Sequence, residues 1–392
     1  MNSQEKYKGD KTAVCDTAVF AVDMRTNEKI AEVFGKLVSI DSPSLKEREM
    51  ADHLKKLFGE IGIQLEEDHT QEITGSNAGN LFARLEGEAG SEPLLFGVHM
   101  DTVEPSRGKK AIFHQDGTVT SDGTTVLGAD DLAGVTAIYE AVLYLMEYKI
   151  PHRTVEILIT TGEELYCKGA NAFDYSKVRA KEAYALDLSG KIGAAAYAAP
   201  TLISFSATVQ GKAAHAGFYQ EKGINSIQAA AKAIARLSQG RIDENTTANV
   251  GLFSGGTGTN IVSESCTIGG EIRSLNHEKA MKILNEYHQI FKEEAGRIGA
   301  ALKWEEKLNI IAYETALGGK TAENYRRAVE KAGLTAEFEK TFGGSDNNVF
   351  AQHGIEGLVI ATSMNQVHSC GEYCSIPEIR QVSEILVNLC AL

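Results

Sequence analysis

The chain contains no apolar run approaching the ~20 residues that a membrane-spanning helix requires. It has no basic surplus either: 39 Lys and Arg stand against 53 Asp and Glu, and the net charge of −14 argues against nucleic acid or an anionic membrane as partner. Its six cysteines (Cys15, Cys167, Cys266, Cys370, Cys374, Cys390) are scattered, without the density of a disulfide scaffold, so a reducing, cytoplasmic setting is expected. Cys370 and Cys374 form a C-x3-C with no second pair, a weak metal signal. The N-terminal TAVCDTAVFAV is interrupted by Asp16 and is not read as a signal peptide. There is no internal repeat and no low-complexity tract.

What is present is globular in composition, 43% apolar and 23% charged, and 392 residues at ~100 to 200 per domain point to two domains. Residues 1–26 show no strong period and read as an extension. Helical spacing runs from Asn27 to Ile40, and Ser44 with Glu47 reads as a capping box for a helix from Leu45 to Gly59. Short strands are expected near 63–66 and 80–85. Then come three apolar runs, LLFGV (94–98), VEILITT (155–161) and AYAL (183–186), each ending in polar residues. With a helix from Gly128 between the first two, this alternation predicts an α/β fold with a mainly parallel sheet, and ligands in such sheets gather beyond the carboxyl ends of the strands.

From about residue 200 the pattern changes to period two. ISFSATVQ, a helix, ANVGLFS, CTIGGEIRS, a long helix from His277 and ALKWEEKL follow the β-α-β-β-α-β order of a ferredoxin-like unit. LVIAT (358–362) and a closing helix return to the first pattern. The expected division is 27–199 and 313–392 for a catalytic domain and 200–312 for the inserted unit.

The strand ends deliver His99, Asp101, Asp130, Glu163, Glu164, Asp187 and His368. Imidazoles with carboxylates and no thiolate suit zinc, manganese or cobalt, and two metals sharing a ligand require a carboxylate, for which Asp130 is the candidate. Each residue also has a plainer reading. Asp130 at a helix start is otherwise a cap. His99-x-Asp101 is otherwise a surface pair, although residues i and i+2 of an extended segment point the same way, so Asp101 can orient His99. Glu163–Glu164 is otherwise a solvated acidic loop; on extended backbone the two point apart, one to ligate and one to carry a proton. Cys167 is close enough to Glu163 to line a pocket and has no evident partner for a nucleophilic role. GGTGT (255–259) lacks the Lys and helix of a phosphate loop and reads as a turn or hinge. His114, His152, His277, His288 and His353 lie away from the strand ends.

Taken together, HMDTV (99–103), GADDLAG (128–134), TGEE (161–164), ALD (185–187), GKAAHAG (211–217) and GGSDNN (343–348) resemble the di-zinc exopeptidase family that contains peptidase T, glutamate carboxypeptidase and aminoacylase. The likeness runs from residue 27 to the end, with the motifs in the same order. It implies two zinc ions per chain, one held by His99, Asp130 and Asp187 and one by Asp130, Glu164 and His368. It also implies Glu163 as general base to a metal-activated water and Asp101 as support of His99. His215 would donate to the carbonyl oxyanion, often across a homodimer interface formed by the inserted lid, while Asn260 and Arg273 would bind the free carboxylate of a short peptide. Asp187, where many deacylases have Glu, favours the peptidase T side, a tripeptide aminopeptidase; Leu132 departs from the Lys common in the bridging motif. The rivals are an N-acyl amino-acid deacylase or carboxypeptidase on the same scaffold and a non-catalytic metal-stabilised binding protein.

Overall fold

The structure is a computed structural model that describes residues 25–391, and the counts below refer to these residues. The expected N-terminal extension lies outside them up to residue 24, Cys15 included.

Four strands lie side by side and parallel in the order Val155–Thr160, Leu94–His99, Glu182–Ser189 and Glu356–Met364. The first two are buried along their whole length, which matches their mainly apolar sequence: helices cover both faces of the sheet. The helix Ala129–Glu147 packs against this sheet and between the helices Asn27–Val38 and Ile376–Cys390. It is apolar nearly all round because it is enclosed nearly all round. Fully buried side chains such as Ile30, Phe34, Leu132, Ile138 and Leu386 form the shared core, at roughly 1.5–3 kcal/mol for each large side chain removed from water.

The centre of the sheet is parallel and its margins are mixed, with Glu337–Lys340 running parallel to Ala194–Ala199. Leu81–Leu85 adds antiparallel on one side, Ala194–Ala199 adds antiparallel to Glu356–Met364 on the other, and nine strands take part in all. The helix read as Leu45–Gly59 runs instead from Arg48 to Glu60, and no side chain caps it. Among the described residues no helix is long and apolar enough to cross a membrane.

The chain leaves this sheet after Ala199 and re-enters it at Tyr313. Between them stands a five-stranded antiparallel sheet in the order Gly240–Asp243, Thr246–Gly255, Ser265–Ser274, Thr201–Gln210 and Ala301–Ile310. The helices Ser226–Ile234 and His277–Arg297 cover one face, over a core of their own that includes Ile203, Phe205, Ile268 and Phe291. This is the expected β-α-β-β-α-β unit with one short strand more, Gly240–Asp243, whose four residues are too few to show a period.

Candidate metal centre

The four parallel strands end on one edge of the sheet, and the start of the helix Ala129–Glu147 lies on the same edge. His99 closes its strand, 1% exposed, with Nε2 at 3.0 Å from Asp130 Oδ1. The other oxygen of Asp130 is 3.3 Å from His368 Nε2, which is also 3.0 Å from Glu164 Oε2. Ligand atoms of His99, Asp130 and Asp187 lie within 4.8 Å of one another, and so do those of Asp130, Glu164 and His368. Asp130 thus stands in both groups. It does not cap its helix: the N-cap is Gly128, in a left-handed conformation (φ 81°), and Asp130 and Asp131 have non-helical dihedrals, so the carboxylate turns inward to the two imidazoles.

The scaffold around these residues is made by groups the sequence did not single out. Glu372 accepts from the amides of Leu127, Gly128 and Asp130 at 2.7, 2.7 and 2.9 Å and so fixes the bend that carries Asp130. Asp131 Oδ2 accepts from His99 N. The nearest acceptor for His99 Nδ1 is the Asp101 carbonyl at 2.9 Å, with the Asp101 carboxylate at 3.5 Å. That carboxylate accepts from the amides of Glu163 and Glu164 and from the Ser44 hydroxyl. Ser44 and Glu47 are therefore not a capping box. Glu47 accepts from the amides of Leu45 and Gly162 and from the Ser76 hydroxyl, bracing the turn that presents Glu163. Glu163 and Glu164 sit in a 3-10 turn, Glu163–Leu165, rather than on extended backbone. They nevertheless diverge, Glu164 toward His368 and Glu163 toward the Cys167 thiol, which donates at 3.3 Å.

Negative charge is crowded here. Burial, and then the charge of Asp187, raises the pKa of Glu163 well above the ordinary carboxylate value; burial followed by Asp130 does the same to Asp187. Asp346, whose Oδ2 accepts from Thr160, is pushed up to about 6, chiefly by burial. Asp130 goes the other way: burial opposes its ionisation, but hydrogen bonds from His368 and His99 outweigh it. His368 is pushed up to about 10 by its bonds to Asp130 and Glu164. Among the described residues the salt bridges of Asp101, Asp130 and Glu164 are to these two histidines alone. Glu164 Oε1, Asp131 Oδ1 and Asp346 Oδ1 are buried with no hydrogen-bond partner. Uncompensated buried carboxylates are costly, and divalent cations are what would compensate them. A donor set of imidazole nitrogen and carboxylate oxygen fits zinc, cobalt or manganese.

Residues 197–298 match the peptidase dimerisation domain of the M20 family. The protein YqjE of Bacillus subtilis is 41% identical over 366 residues, covering 93% of this chain and 98% of its own. The crystal structure of aminopeptidase PepT from Bacillus cereus has a TM-score of 0.87 at 40% identity, covering 93% of this chain and 98% of its own. A tripeptidase from Staphylococcus aureus gives 0.90 at 30% identity over 94% and 98%. This chain is an M20 peptidase of the peptidase T group.

In this M20 peptidase a cleft of about 260 Å³ opens over Glu163, Glu164, Cys167 and His368, and Arg273 reaches it from the inserted lid. The Arg273 guanidinium is engaged: Nε lies 2.8 Å from Glu271 Oε1, and Nη1 donates to the Phe342 carbonyl at 2.8 Å. His215 and Asn260 are neighbours of each other on the lid, linked by the Ala216 amide donating to the Asn260 carbonyl, but neither lines the cleft. His215 is exposed, its Nδ1 accepting from the amides of Gly217 and Phe218. Cys167, Cys266, Cys370, Cys374 and Cys390 are all free thiols, and the C-x3-C pair joins no metal-ligand group among the described residues.

Proposed function

We propose that this peptidase is a two-metal aminopeptidase that removes the first residue of short peptides, tripeptides foremost. His99, Asp130 and Asp187 would hold one zinc ion and Asp130, Glu164 and His368 the other, with cobalt or manganese as substitutes. The observation that carries this reading is the position of Asp130, one oxygen toward each histidine at 3.0 and 3.3 Å. Ions bound there supply Lewis acidity and lower the pKa of water toward ~7.

The chain's own groups do the rest. Glu163, buried at the cleft floor with a raised pKa, takes a proton from the attacking water and passes it to the leaving amine. Asp101 keeps the Glu163 and Glu164 amides in place, so neither carboxylate drifts as charge develops. Arg273 receives the carboxylate of the peptide in exchange for Glu271, a planar fork matched to a planar anion, and Asn260, which sits beside His215 on the lid, supports it from a second copy of the chain. His215 donates to the carbonyl oxygen as it becomes an oxyanion. Because His215 is exposed on the lid, outside the cleft of its own chain, the donor for each cleft comes from a second copy in a homodimer formed through the lid; the dimerisation-domain match supports this. The free thiols support a reducing, cytoplasmic setting.

The test compares hydrolysis of tripeptides, dipeptides and N-acetyl amino acids before chelation, after it, and after zinc, cobalt or manganese is returned. Tripeptide cleavage lost on chelation and restored by metal supports the proposal. Faster cleavage of N-acetyl amino acids would replace it with a deacylase, and activity that survives complete metal removal would end it.

A further inference from the structure

Beyond the cleft, a second hollow of about 560 Å³ runs over the face of the lid sheet opposite its helices, lined by Ser204, Ser206 and Gly269 and by the larger Leu252 and Phe253. One side chain, Tyr166, lines both cavities. One ion pair also stands across the divide, with Arg273 in the cleft and Glu271 in the hollow.

The backbone at Tyr166 is left-handed (φ 67°, ψ 56°), and so is that of Cys167 after it (φ 54°, ψ 40°). Bulky L-residues rarely adopt this conformation, and glycine takes it freely. The turn is held by the Cys167 amide donating to the Glu163 carbonyl at 2.7 Å and the Lys168 amide to the Gly162 carbonyl at 3.1 Å. Nothing in those bonds calls for a side chain at 166. The ring is nevertheless there, 41% exposed, with the Lys307 ammonium of the lid 5.7 Å from its centre. A large side chain kept where the backbone favours none points to a role for the ring itself.

We infer that Tyr166 is the end wall of the substrate cleft and sets the length of peptide accepted. This rests on the peptidase reading above. A third residue places its carboxylate at Arg273, in front of the wall; a fourth meets the ring, and the hollow behind would take it only if the ring were gone.

The experiment measures kcat/KM for a tripeptide and for the tetrapeptide and pentapeptide that extend it, in wild type, Tyr166→Gly, Tyr166→Asn and Tyr166→Phe. Gly and Asn both tolerate the left-handed backbone, so the turn survives in each. The tetrapeptide-to-tripeptide ratio should rise about tenfold or more in the Gly and Asn variants, mainly through KM, and stay at the wild-type value in Phe. A wild type that prefers tripeptides, with a ratio that moves less than about twofold in Gly and Asn, overturns the wall alone. A Phe variant that loses selection as Gly does also overturns it, because bulk would not be the cause. A wild type that cleaves N-acetyl amino acids and no tripeptide overturns the wall together with the functional reading.

Discussion

Glu372→Gln offers the sharpest test of how the centre is built. Glu372 touches neither a candidate metal ligand's side chain nor the cleft; it acts by accepting three buried amides at 2.7 to 2.9 Å, from Leu127, Gly128 and Asp130. A carboxamide of the same shape has one oxygen instead of two, so at least one amide is left facing an NH2 group. An unsatisfied buried donor costs ~1–3 kcal/mol. Part of that falls on the conformation of the bend at Asp130, and groups that orient ligands in this way typically change metal affinity by about 10–100-fold. Competition titration of zinc and cobalt against a chromophoric chelator should therefore show affinity reduced by that factor, while the thermal transition of the metal-free protein moves down. Affinity within about twofold of wild type would refute the claim that Glu372 holds Asp130 in place.

Glu163→Gln should lower kcat by about 10²–10⁴-fold while metal content by elemental analysis stays at the wild-type value, since the residue moves a proton and is not assigned to either ion. Full activity in that variant would remove the general base from the mechanism. Glu140 lies in the middle of the central helix, its side chain buried, with its pKa pushed up from 4.5 to about 7, chiefly by burial, in spite of Arg25 at 3.1 Å. A raised carboxyl contributes its stability below the unfolded value of 4.5 and loses it as pH climbs through about 7. Charging it then costs ~3 kcal/mol, so Glu140→Gln should be more stable than wild type at pH 8 by up to that amount, with the gain vanishing below pH ~4.5. Denaturant midpoints at the two pH values decide this, and an equal difference at both would refute it.

The inward residues that were legible in the sequence share one property. His99, Glu163, Glu164, Asp187 and His368 each lie within or shortly after an apolar strand, so the strand announces the residue. Of the residues that hold them in place, Asp101 was legible from its spacing to His99, but the long-range partners were not. Glu372 meets its amides from 242 to 245 positions away, and Asp346 reaches Thr160 across 186; no local period encodes such pairings. Ser44 and Glu47 show how a local rule yields to tertiary structure. Their spacing fits a capping box, but the Asp101 carboxylate takes one and the Gly162 amide the other. The order of elements gave the parallel centre of the sheet, because strand, helix and strand leave a chain little choice. The mixed margins depend on which edge a returning strand finds, and a single sequence does not record that. His215 was legible within the GKAAHAG motif and Asn260 only through the family resemblance, while their distance from the cleft is a property of how the lid is mounted.

The mounting also makes the lid topologically independent of the large sheet. Ala199, where the chain departs for the lid, and Tyr313, where it comes back, are hydrogen-bonded neighbours in the large sheet. Strands so paired lie about 4.8 Å apart, a gap that a short turn spans. A turn joining Ala199 directly to Tyr313 would leave every other pairing of the large sheet as it is, so the lid's more than one hundred residues are separable from that sheet in its topology.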